Sequence, residues 1–123
     1  MKNGRLYEAK VEDVHSGDDF IVMVNLGVDG LFKRTRVRLH GVDAPNAYKA
    51  MSTTEAGKVR DEVKRLVRER CLIEVVSEGK GGWIVDMTIF DENSQPVHLN
   101  TLMRNRGYVY GSAKPLDRTV NGA

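Results

Sequence analysis

A chain of 123 residues, 41% hydrophobic and 29% charged, can bury one sizeable core and is the size of one domain. Its net charge of +2 does not by itself imply a nucleic-acid partner, and a single cysteine excludes an internal disulfide and any cysteine-rich zinc site. No window nears the about 18 apolar residues of a membrane span, and Met1 to Leu6 lead into charged residues instead of an apolar leader, so a cytoplasmic, soluble chain is expected.

Residues 6–15 alternate loosely and reach a turn at Ser16-Gly17-Asp18-Asp19, after which Phe20-Ile21-Val22-Met23-Val24 is strongly β-prone, so the two form a predicted hairpin. The next turn, Gly27-Val28-Asp29-Gly30, leads into a third strand over Leu31 to Val42. A period of two there separates Arg34, Arg36, Arg38 and His40 from Val37 and Leu39. In a small barrel the apolar pair goes inside and the basic row outside, where it either tracks phosphates or serves as a solvated face that discourages edge pairing. The strand runs out through Gly41-Val42-Asp43-Ala44-Pro45-Asn46, which places polar residues at a rim that a ligand can reach.

Residues 46–54 are small and polar and predict a loop. Ser52-Thr53-Thr54-Glu55 fits a capping box, so a helix is predicted from about Thr53 to Glu69, with Ala56, Val59, Val63, Leu66 and Val67 as its packing stripe. Cys71 precedes the fourth strand, Leu72 to Val76, and reads as a buried thiol. Glu78-Gly79-Lys80-Gly81-Gly82 predicts a flexible loop, Trp83 to Phe90 a fifth strand, and residues 97–106 a short helix with Leu99, Leu102 and Met103 inward and Gly107 at its stop. Residues 111–123 lack periodicity and predict a mobile tail to a domain spanning 1–110. The whole is mainly β with helices: a five-stranded OB-type barrel, a long helix between strands three and four, and a short helix after the fifth. Such barrels bind oligonucleotides on the outer face of their middle strands.

At Gly17-Asp18-Asp19, Arg38-Leu39-His40-Gly41-Val42-Asp43-Ala44-Pro45, Glu55-Ala56 and Leu99 to Tyr108, the chain resembles the staphylococcal nuclease (thermonuclease-like) family, over about Glu8 to Tyr110. The resemblance implies that calcium would be held by Asp18, Asp43 and the backbone carbonyl of Ala44, with Arg38 on the scissile phosphate. From the residues alone, Asp18 reads as a turn residue and Asp43 as an Asx-type cap. The family's water-activating glutamate directly follows the proline, where this chain has Asn46, an amide that can orient water but cannot take its proton. Loss of a general base commonly costs about 10²- to 10⁴-fold. The family's second phosphate-binding arginine aligns with Trp83, which has one N–H donor and no charge, and Lys80 in the preceding loop is a poor substitute for a bidentate fork. Glu55 and Asp19 could compensate only by leaving ordinary structural roles.

What the resemblance implies is therefore a disarmed nuclease fold that binds single-stranded DNA or RNA with little or no cleavage. Arg34, Arg36, Arg38 and His40 would track phosphates, Trp83 would offer a stacking platform, and Lys80 would close over the strand. The alternatives are a calcium-dependent phosphodiesterase with an altered site, or a protein-interaction module as in the Tudor staphylococcal-nuclease protein. A monomer is expected.

Overall fold

The alternation of the strands closes into a ring in the computed structural model, which describes residues 5–67 and 70–109. The elements run β1 (Arg5–Ser16), β2 (Asp19–Asn25), β3 (Phe32–Leu39), α1 (Glu55–Val67), β4 (Arg70–Gly79), β5 (Gly82–Phe90), β6 (Pro96–His98) and α2 (Leu99–Asn105). β1 is long enough to serve two neighbours: Arg5 to Lys10 pair with β4, and Ala9 to Ser16 pair with β2. Bulges between Val11 and Asp13 and between Val14 and Ser16 bend it from one partner towards the other. The order β3-β2-β1-β4-β5 is then closed by a parallel pairing of β3 with β5, at Val37–Trp83, Arg38–Ile84 and Leu39–Val85. The result is a five-stranded mixed barrel of OB type with α1 between β3 and β4.

Closure depends on one glycine. Gly82 has φ +128°, and a Cβ there would lie 2.1 Å from the carbonyl oxygen of Arg36. The glycine-rich stretch is accordingly no slack loop: Gly79 and Gly82 pair across a two-residue turn at Lys80-Gly81, and β4 and β5 run directly into each other.

Val37 and Leu39 do point inward, with Val22, Val24, Ile73, Val85 and Met87, all at 0–1% exposure. α1 adds the buried Val59, Val63 and Val67. Its start differs from the expected capping box. Thr54 Oγ1 accepts from the Gly57 N–H at 3.0 Å and the Thr54 carbonyl from the Lys58 N–H at 2.9 Å, so Thr54 is the cap and the helix begins at Glu55. Residues 68–69, the expected end of that helix, lie outside the described residues, as does the expected tail at 111–123.

The second helix is shorter than predicted because Pro96–His98 first forms a strand against β5. His98 then caps it, Nδ1 accepting from the Thr101 N–H. Leu99 and Met103 are fully buried, and the helix ends in a Schellman motif: Gly107, φ +98°, donates to the Arg104 carbonyl and Tyr108 to that of Met103. Among the described residues no helix is long and apolar enough to cross a membrane.

Candidate functional site

The β2–β3 register sets the basic row beside acids from β1 and β2. Arg34 Nε donates to Glu12 Oε1 at 2.7 Å. Arg36 grips Asp19 with a fork, Nε to Oδ1 at 2.8 Å and Nη2 to Oδ2 at 2.5 Å, and this bond raises the Arg36 pKa further above its ordinary value. Arg38 is different. Its Nη2 lies 3.8 Å from Asp18 Oδ2, beyond a hydrogen bond, and its Nε is buried with no hydrogen-bond partner among the described residues. The side chain is still 42% exposed, so its guanidinium reaches solvent with donor capacity unused.

Asp18 sits in the turn between β1 and β2 with its side chain 4% exposed. Its carbonyl accepts from the Leu39 N–H at 3.0 Å, which fixes the turn against the end of β3, and Oδ2 accepts from the Ala44 N–H at 3.3 Å. Burial pushes the Asp18 carboxyl above its ordinary pKa, against the Ala44 N–H and the Arg38 charge, which both pull it down. The Asp18 carboxylate thus accepts a hydrogen bond from the backbone of Ala44 and not from the arginine beside it.

Asp43 is half-buried, its N–H donating to the Tyr108 carbonyl at 3.1 Å, and Ala44 is buried. Asp18, Asp43 and the Ala44 carbonyl supply few of the six to eight oxygens calcium takes. No group of three or more His, Cys, Asp or Glu suited to a metal occurs among the described residues. A cation on this donor set would keep most of its water.

Asn46 is exposed, and its Oδ1 accepts from the Tyr48 N–H at 3.2 Å in an Asx turn. Of the two carboxylates named above as substitutes for the base, Asp19 is held by Arg36 and Glu55 is exposed in the first turn of α1. The Tyr108 phenol has its pKa raised by burial and by the nearby Glu55 and Glu62 charges.

The remaining sequence candidates form a second cluster. Trp83 is half-buried at the barrel end and stacks on Tyr7, ring centroids 5.8 Å apart at 25°. With Lys33, Arg34, Arg36 and Lys80 it lines a groove of about 390 Å³ that does not include Asp18 or Asp43. The His40 side chain is exposed, while its carbonyl is bound by Asn100 Nδ2 at 3.0 Å and Arg104 Nη1 at 3.2 Å.

Three residues position this surface in ways that the sequence does not announce. Glu12 neutralises Arg34 from another strand, a pairing that no local pattern announces. Asn100, fully buried, joins β3 to β5 by donating to the His40 and Val85 carbonyls and accepting from the Met87 N–H at 2.8 Å. Arg60 donates to the carbonyls of Ala47 and Ala50 and so pins the loop that follows Asn46.

No family model matches the chain, and no curated protein matches it.

Proposed function

We propose that this chain is a disarmed barrel of the staphylococcal nuclease family that binds single-stranded nucleic acid and cleaves it little or not at all. The observation that carries this reading is the Arg38 guanidinium, 42% exposed at its side chain and with no hydrogen-bonded carboxylate among the described residues. A charge-assisted hydrogen bond is worth about 1.5–3 kcal/mol, and it is the exposed part of the guanidinium, not the buried Nε, that offers donors to a phosphate oxygen. Arg34 and Arg36 are already neutralised, so Arg38 is the principal phosphate contact, and Lys80 and Trp83 supply the second groove.

The same geometry argues against efficient cleavage. The residue at the base position is an exposed amide engaged in its own turn, and the residue aligned with the second arginine is an indole stacked on Tyr7. Calcium, if bound at Asp18, Asp43 and the Ala44 carbonyl, would be held weakly. The test is fluorescence anisotropy with labelled single-stranded DNA and RNA over a salt series, run beside a cleavage assay with calcium at alkaline pH. Salt-dependent binding weakened about 10- to 100-fold by Arg38→Ala, without cleavage, supports the reading. Calcium-dependent cleavage lost in Arg38→Ala supports the altered-nuclease alternative instead.

A protein-interaction module is favoured by one feature, the β2–β3 hairpin tip, where Val28, Leu31 and Phe32 are 52–57% exposed. Partner capture that survives high salt and nuclease treatment and is lost on Phe32→Ser would select that reading.

A further inference from the structure

The loop at 46–54 is built around a strut. Ala47 N–H donates to the buried Ser16 Oγ at 2.8 Å, while Arg60 Nη1 donates to the carbonyls of Ala47 and Ala50 at 3.0 and 2.6 Å. The Arg60 side chain is 15% exposed, so these bonds are shielded from water. Between the pinned residues stand Tyr48, 58% exposed, and Lys49, whose φ of +64° is uncommon for a residue with a side chain. A left-handed lysine persists only where its surroundings over-determine it.

The Tyr48 ring tilts against His15, centroids 4.5 Å apart, and carries the Lys49 ammonium 5.4 Å from its centroid. These residues line a groove of about 350 Å³ that also takes in Asp13, Asp61 and Lys64. Both acids are occupied locally. Asp13 Oδ1 accepts from the Val14 N–H at 2.9 Å and Oδ2 faces His15 Nε2 at 3.3 Å, while Asp61 pairs with Arg60 Nε at 2.9 Å. The Arg60 hydrogen bond and, more weakly, the Lys64 charge help to hold the Asp61 pKa down, but among the described residues neither Lys49 nor Lys64 is within 4.0 Å of a carboxylate oxygen.

We propose that this groove is a nucleotide subsite separate from Arg38, with a base of a single-stranded nucleic acid stacked on Tyr48 and its phosphates met by Lys49 and Lys64. The inference rests on the nucleic-acid reading above. Stacking on an exposed aromatic ring beside cations is how strands are held without sequence preference. The two sites are within reach of one oligonucleotide: Ala44 touches Asp18 beside Arg38, and the four residues from there to Tyr48 span at most about 14 Å.

Anisotropy with a labelled dodecanucleotide and with a dodecamer of abasic sugar-phosphate tests it, on wild type, Tyr48→Leu, Tyr48→Phe and Arg38→Ala, each first checked for an unchanged melting transition. Tyr48→Leu is expected to weaken the dodecanucleotide about tenfold, Tyr48→Phe to retain affinity, and the abasic strand to bind wild type and Tyr48→Leu equally. If Tyr48→Leu binds as wild type does while Arg38→Ala is weakened, the subsite is refuted and the nucleic-acid reading stands. If wild type binds neither strand, both fall.

Discussion

Arg38 Nη2 and Asp18 Oδ2 stand 3.8 Å apart, a charge pair without a hydrogen bond, and the arginine's Nε is buried without an acceptor among the described residues. Among Arg34, Arg36 and Arg38 this is the one guanidinium whose carboxylate neighbour leaves it unsatisfied. A charge-assisted hydrogen bond contributes about 1.5–3 kcal/mol, so Arg38→Ala should weaken single-stranded nucleic acid about 10- to 100-fold. Arg38→Lys should recover little, because an ammonium has no planar fork. Arg34→Ala, which removes a cation already matched by Glu12, should change affinity less than threefold in the same titration.

The raised pKa of Asp18 has a definite sign. The folded protein holds this proton more tightly than the unfolded chain does, so the Asp18 contribution to stability declines as pH rises from the ordinary carboxylate pKa of 3.8 through the raised folded value. Asp18→Asn, which does not titrate, should therefore gain melting temperature relative to wild type between pH 3 and pH 7. The same substitution removes a negative charge from beside Arg38. Wild-type affinity for nucleic acid should strengthen as pH falls through the Asp18 titration, and Asp18→Asn should flatten that part of the profile.

Asn100 serves two carbonyls and one N–H from a fully buried position. Asn100→Ala leaves the Met87 N–H without its acceptor and weakens the tie between β3 and β5, at a cost of about 2–4 kcal/mol in urea unfolding. Asn100→Asp has nearly the same shape but turns a carboxylate towards those two carbonyls. It should cost more than the alanine.

Gly82→Ala would drive a Cβ to 2.1 Å from the Arg36 carbonyl oxygen at a φ of +128°. The expected loss is about 3 kcal/mol or more, a fall in Tm of roughly 10–20 °C by thermal melting. Gly81→Ala next to it meets Arg36 Nη1 at an ordinary 3.8 Å and should be far milder.

The periodicities that reached the structure were those a single element carries on its own. Val37 and Leu39 alternate with the arginines along one strand, and Val59, Val63 and Val67 recur along one helix, so each declares its buried side without help. What the row of arginines faces was not legible, because Glu12, Asp18 and Asp19 come from other segments and register alone brings them opposite. The stretch Glu78 to Gly82 misled for the opposite reason: its glycines suggest slack, yet they end one strand and begin the next, where backbone must approach backbone. Residues 97–98 adjoin the apolar spacing of the second helix but are claimed by pairing with β5, which suits the β-branched Val97. Around the candidate site, Asp18, Arg38 and Ala44 do lie together, while Trp83 and Lys80 belong to a neighbouring groove that the row of β3 connects to them.

The parallel seam between β3 and β5 joins residue 37 to residue 83, positions 46 apart, whereas the β2–β3 and β4–β5 hairpins are local. Local hairpins form in microseconds, but a contact across so long a loop must meet its closure entropy before it gains anything. The seam, like the β1–β4 pairing that joins residue 10 to residue 70, is therefore expected to form after the hairpins. Until β5 arrives, the β3 edge that carries Val37 and Leu39 is an open template for strands of other chains, and its three arginines keep that interval safer by charge.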